Sequence, residues 1–280
     1  MQILKGVDAA KKINEEILAT MQEHKDLKVT LGIVRVGERG DDIAYERGVI
    51  KKCEKLGFSY ELFKFDADIS NDDFIKEFDK INENPEIDGI LMFKPLPKQI
   101  DEKEIEGRID KNKDLDGISP INMALVYAGD DSGFAPCTAE AVVELLDFAG
   151  IDITGKRVCV IGRSTVIGKP VSLLLLKKNA TVTICHTKTV NMEEECKRAE
   201  ILVAAAGVPK MVKASFVSEG AVVIDVGINV DKNGNLCGDV DFDEVSKKAS
   251  VITPVPGGVG SVTTSVLAKH LLRAALKKLD

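Results

Sequence analysis

Four groups of residues have the types and spacing to hold or transform a small ligand. Gly162-Arg163-Ser164-Thr165-Val166-Ile167-Gly168 follows the apolar run Val158 to Ile161 and leads into Lys169-Pro170. That order of strand, glycine turn and helix presents free backbone amides to a phosphate. Ser164 adds a hydroxyl, and proline near a helix start costs nothing because its amide has no partner there. A second apolar run ends at Cys185, and His186-Thr187-Lys188 follows without the acid that would bind a ribose 2′-hydroxyl. Arg163 and Thr187 can instead hold a 2′-phosphate through charge-assisted hydrogen bonds, so the pattern favours NADP; the plainer reading is a pair of solvated surface groups.

The third group, Pro254-Val255-Pro256-Gly257-Gly258-Val259-Gly260, joins a rigid entry to bare backbone suited to a flat ligand, and Gly227-Ile228 closes another strand. The fourth is Lys94-Pro95-Leu96-Pro97 after the strand-like run Ile87 to Met92. In open parallel sheets, loops at the carboxyl ends of strands carry ligands. These prolines otherwise only stiffen a turn.

The elements that must position these groups alternate in period. Val7 to His24, Ala44 to Leu56 and Asn71 to Asn82 have helical spacing, with Ser70 as the N-cap of the third. Thr30 to Val36, Phe58 to Phe65 and Ile87 to Met92 read as strands between them, which implies a largely parallel sheet. Breakers are dense from Lys111 to Cys137, where a domain boundary is expected, and Thr138 to Ala149 reads as a helix with Thr138 as its N-cap. Asn229 to Val240 reads as a hairpin around Asp231-Lys232-Asn233-Gly234, and Ser261 to Lys278 as a last helix.

A chain of 280 residues with 44% apolar content is long enough for two packed domains. Its net charge of −7 and lack of tryptophan leave neither a basic stripe nor a stacking platform for nucleic acid. No apolar run approaches the roughly 20 residues of a membrane span. The start of the sequence has no signal core, so the expectation is a cytoplasmic protein with six reduced cysteines. Those cysteines and the three histidines lack metal-ligand spacing, and no metal is expected.

Pro254 to Gly260, Asp88-Gly89-Ile90-Leu91 with Pro95-Leu96-Pro97, Lys113-Asp114-Leu115-Asp116-Gly117, and Gly162-Arg163-Ser164 with Gly168-Lys169-Pro170 together resemble the signatures of the methylenetetrahydrofolate dehydrogenase/cyclohydrolase family. They stand in the family's order and span nearly the whole chain. The resemblance implies an α/β fold of two domains. A folate-binding catalytic domain would take residues 1–122 and 266–280, a Rossmann-like NADP-binding domain 123–265, and the C-terminal helix would return to the first. It implies a homodimer acting on tetrahydrofolate derivatives: 5,10-methylenetetrahydrofolate is oxidised by hydride transfer to NADP, and the methenyl product is hydrolysed to 10-formyltetrahydrofolate at the same site. Carried over, Tyr45 stacks on the folate, Asp116 accepts from the pterin edge, and Pro95, Leu96, Gly257 and Gly258 line the substrate. Gly162, Arg163, Ser164, Gly168, Thr187 and Ile228 hold the cofactor.

The chain departs from the family at one pair. The lysine one turn beyond the tyrosine is Val49, and the glutamine that partners it is Phe93. Proton transfer in hydrolysis suits a desolvated amine, which an isopropyl group cannot replace. Lys94 is the nominated substitute, with Lys51 and Lys52 further along the helix and Lys52 nearer the required face. Three readings stand: a dehydrogenase alone, a bifunctional enzyme with a substitute lysine, and a folate- or dinucleotide-binding protein without catalysis.

Overall fold

The computed structural model describes residues 1–279 and divides into two compact units, Met1–Lys12 with Thr138–Thr263 and Ile13–Cys137 with Thr264–Asp280. The chain begins with β1 (Gln2–Ile3) and α1 (Gly6–Glu23), followed by β2 (Thr30–Val36), α2 (Gly40–Leu56) and β3 (Ser59–Phe65). Next come α3 (Asn71–Glu83), β4 (Gly89–Met92), α4 (Glu102–Arg108) and α5 (Pro120–Ala128).

In the unit built around residues 13–137, β2 lies between β3 and β4 in a parallel three-stranded sheet, with Leu31 opposite both Tyr60 and Gly89. Its central place explains why β2 is apolar and buried almost throughout, while the outer β3 alternates. Phe74, Phe78 and Ile81 are the buried stripe of α3 and pack with Val34, Ile90 and Ile105. Burial of each such side chain stabilises the unit by about 1.5–3 kcal/mol. Ser70 Oγ accepts from Asp73 N, as the N-cap reading expects.

The remaining elements are α6 (Cys137–Phe148), β5 (Arg157–Ile161), α7 (Gly168–Lys177), β6 (Thr181–Cys185), α8 (Met192–Lys197) and β7 (Ile201–Ala204). After these come β8 (Val222–Asp225), β9 (Asn229–Val230), β10 (Leu236–Cys237), α9 (Phe242–Val245), β11 (Val251–Ile252) and α10 (Thr263–Leu276). The second unit is a six-stranded parallel sheet in the order β1-β11-β8-β7-β5-β6, with β9 and β10 forming the expected hairpin beside it.

Two boundary expectations differ from this division. The break expected at 122/123 lies instead at 137/138, because the breaker-rich stretch, which carries α5, is tied back into its own unit. Asn122 donates to Asp114 Oδ2 at 2.9 Å and accepts from Phe134 N at 3.1 Å. The first residues belong with the dinucleotide-type sheet, since Gln2 and Ile3 pair with Val251 and Ile252. Thr138, expected as an N-cap, lies inside α6.

Candidate functional site

Loops at the carboxyl ends of β5, β6, β7 and β8 carry the candidate cofactor residues. Gly162 adopts φ +128°, and a Cβ there would lie 2.2 Å from Ala205 O; one on Gly168 would lie 2.2 Å from Gly162 O. Both positions therefore require glycine for close backbone approach. Ser164 Oγ accepts from Ile167 N and Gly168 N at 3.1 and 3.4 Å, closing the turn and leaving its hydroxyl proton for an outward acceptor. Arg163, Ser164 and Thr187 are all exposed on this face. His186 is engaged locally, its Nδ1 accepting from Lys188 N at 3.1 Å.

Two buried carboxylates hold the neighbouring loops. Asp239 accepts from Ala206 N, Gly207 N and Val208 N at 2.6–3.0 Å and from Asn229 Nδ2 at 2.9 Å. Asp225 accepts from Gly227 N, Asp239 N and Val240 N at 2.9–3.0 Å. Burial pushes the Asp225 carboxyl up to about 6, against the pull of those amides. Beyond it, a cavity of about 260 Å³ is lined by Gly227, Ile228, Pro254 to Gly258 and Gly260. Ile228 is 69% exposed, so its side chain is available to a ligand. Sequence reasoning passed over Asp225 and Asp239, whose signal was two acids beside glycines in Asp225-Val226-Gly227 and Gly238-Asp239.

A separate group of candidate residues lies in the unit built around residues 13–137. Tyr45 stands half-exposed on α2, and its ring meets that of Phe93 edge-on, with centroids 5.8 Å apart. Val49, one turn on, is buried, as are Phe93 and Leu96; Pro95 is exposed. Phe93 N donates to Val34 O at 3.0 Å, extending the pairing of β4 by one residue. The Arg39 guanidinium binds the Asp42 carboxylate with two hydrogen bonds and donates to Lys94 O at 2.9 Å, tying the loop after β2 to the loop after β4.

Lys94, expected as a substitute for the missing lysine, is ion-paired. Its ammonium meets Glu106 and lies 3.4 Å from Glu102. Burial alone would lower its pKa, but the two carboxylates outweigh that and hold the charged form above its ordinary range. Both acids lie on α4, a short helix for which the sequence analysis gives no element, although Asp101 offers an N-cap signal.

Lys113-Asp114-Leu115-Asp116-Gly117 separates into different tasks. Lys113 Nζ donates to Asn82 O and Asn84 O, and Asp114 accepts from Ile118 N and Ser119 N. Asp114 thus holds its own loop, and Lys113 ties that loop to the end of α3. Asp116 Oδ1 accepts from Cys137 N at 2.9 Å, and burial raises its carboxyl. A ligand presenting N–H donors to this group would favour its ionised form.

Cys159, Cys185 and Cys196 bring three sulfurs within 4.8 Å of one another. All three are buried in an apolar core, and Cys185 is pushed up to about 12 by that burial. Burial raises the Cys159 thiol as well, so Cys159 and Cys185 are protonated packing groups at neutral pH.

Residues 4–116 match the family model described as tetrahydrofolate dehydrogenase/cyclohydrolase, catalytic domain, and residues 136–279 match its NAD(P)-binding domain. The bifunctional protein FolD of Alkaliphilus oremlandii is 52% identical over 274 residues, covering 97% of this chain and 96% of that protein. Among solved structures, the bifunctional FolD methylenetetrahydrofolate dehydrogenase/cyclohydrolase of Campylobacter jejuni matches with a TM-score of 0.96 at 36% identity, covering 99% of each chain. The Trypanosoma brucei methylenetetrahydrofolate dehydrogenase-cyclohydrolase, complexed with NADP cofactor and an inhibitor, matches with a TM-score of 0.91 at 34% identity, covering 99% of this chain and 98% of that one.

Proposed function

The chain belongs to the tetrahydrofolate dehydrogenase/cyclohydrolase family, and on that premise we propose that it oxidises 5,10-methylenetetrahydrofolate to the methenyl cation by hydride transfer to NADP in the cytoplasm. The observation that carries this reading is the glycine turn, closed by Ser164 and bearing an exposed Arg163 with no acid in position to favour a ribose hydroxyl. NADP when bound supplies the hydride acceptor, and the protein's share is binding and orientation. Gly162, Ser164 and Gly168 would face its phosphates, Arg163 and Thr187 its 2′-phosphate, and Ile228 its nicotinamide half.

Tyr45 offers a half-exposed ring face for the folate's aromatic portion, and Asp116 an acceptor for the amino group and ring N–H of the pterin. The family likeness also nominates Pro95, Leu96, Gly257 and Gly258 as substrate-binding residues. Oxidation requires no proton transfer at positions 49 or 93, so the apolar pair Val49 and Phe93 is compatible with it. Hydrolysis is a separate matter, since neither residue can accept a proton. The family likeness and the frequency of two-fold assemblies both support a homodimer.

A paired assay tests the reading. NADPH formation is followed from methylenetetrahydrofolate, while the disappearance of added methenyltetrahydrofolate is timed separately against buffer. NADPH formation is expected. Ligand-induced stabilisation without turnover of either kind would favour the non-catalytic binding reading instead.

A further inference from the structure

We infer that Lys52 supplies the amine for hydrolysis of the methenyl intermediate, displaced by three residues from the position that Val49 occupies. This inference rests on the folate reading of the site. Three observations on α2 carry it.

The first is placement. Tyr45, Val49 and Lys52 follow one another at spacings of four and three, so they share a stripe of the helix. Helical side chains lean toward the N-terminus, which directs the Lys52 stem back over the turn containing Val49.

The second is its company. Lys52 Nζ donates to Ser265 Oγ at 2.8 Å and to Asn14 Oδ1 at 3.1 Å. Both partners are buried and uncharged. Buried polar groups on α1 and α10 thus orient this amine, and no carboxylate among the described residues pairs with it, the opposite of Lys94 between Glu102 and Glu106.

The third is electrostatic. Burial, helped by the neighbouring charge of Lys55, holds the Lys52 ammonium below its ordinary range. A half-buried amine with only neutral partners can exist as the free base, and general base catalysis needs that form.

In the step assigned to it, the oxygen of water adds to the one-carbon bridge and the neutral amine takes up one proton. The bond from that carbon to N5 then breaks as Lys52 returns the proton to N5. The second proton of the water leaves to solvent as the carbonyl forms. The products are 10-formyltetrahydrofolate and one proton from the methenyl cation and one water, with no change of oxidation state.

The test uses purified full-length protein, comparing wild type with Lys52→Gln, Lys52→Arg and, as a control, the exposed neighbour Lys51→Gln. Wild type should hydrolyse added methenyltetrahydrofolate above the buffer rate. The ratio of hydrolysis to NADPH formation should fall about 100-fold in Lys52→Gln, within the range for loss of a general base. Lys52→Arg keeps a cationic hydrogen-bond donor that is not deprotonated and should show the same fall, which separates catalysis from packing. Wild-type hydrolysis should also rise with pH as the amine loses its proton, and that limb should vanish in both variants. Hydrolysis at the buffer rate in a wild-type enzyme that forms NADPH would overturn the inference alone, as would an unchanged ratio in both Lys52 variants or its fall in Lys51→Gln. Absence of NADPH formation in wild type would bring down the folate reading itself.

Discussion

At the residue scale, the site's cations share a charge but not an environment. Arg163 is exposed with nothing in the turn to neutralise it, whereas Lys94 is held by two acids. Arg163→Ala should raise the KM for NADP by about tenfold or more while leaving the KM for NAD nearly unchanged, because a charge-assisted contact is worth roughly 1.5–3 kcal/mol. Equal weakening of both cofactors in steady-state kinetics would show that the arginine does not face the 2′-phosphate. Arg163, Tyr45 and the Val49–Phe93 departure were legible in the sequence because each sits inside a contiguous motif. The partners of Lys94 and Lys52 were not. Glu102 and Glu106 lie eight and twelve residues beyond Lys94, and Ser265 lies 213 residues from Lys52, so only folding brings them together.

At the element scale, strands and long helices were read well because their periods are strong, as β2 and α3 show. The short α4, α5, α8 and α9 and the two-residue strands β1 and β11 escaped, since such elements depend on tertiary partners more than on local pattern. The loops at the carboxyl ends of β7 and β8 depend on Asp239. Asp239→Ala would leave three backbone amides and Asn229 without their acceptor and should destabilise the protein by about 3 kcal/mol or more, measured by denaturant unfolding. Asp225 yields a prediction with a defined sign. Its folded pKa of about 6 lies above the ordinary 3.8, so its contribution to stability is complete below the ordinary value and is lost as pH rises through about 6. Between pH 4 and 7, wild type should therefore lose stability relative to Asp225→Asn, by up to about 3 kcal/mol. A constant difference across that range would mean that Asp225 does not titrate there.

At the scale of the whole molecule, the two-domain α/β class was legible from β-α-β alternation followed by a glycine turn. The division of the chain was less so. The exchange of the first residues into the six-stranded sheet leaves no trace in a window of sequence, because β1 is recognisable only by its pairing with β11. NADP at one hundred times its Kd should stabilise the protein by about 2.7 kcal/mol, raising Tm by several degrees in a thermal scan. An unchanged Tm at saturating NADP would count against a preformed site. The outer strand β6 presents a half-exposed Ile184 at the edge of its sheet. Such an edge calls for cover, and sedimentation should give twice the 30.3 kDa chain mass.

Hydride transfer from the one-carbon bridge to NADP can be followed with isotopes. Methylenetetrahydrofolate carrying two deuterons on its one-carbon bridge is incubated with NADP and the purified protein, and the reduced cofactor is analysed by mass spectrometry. The account predicts NADPH that carries one deuteron, with the other retained on the folate product. No NADPH, or NADPH without deuterium, would contradict it.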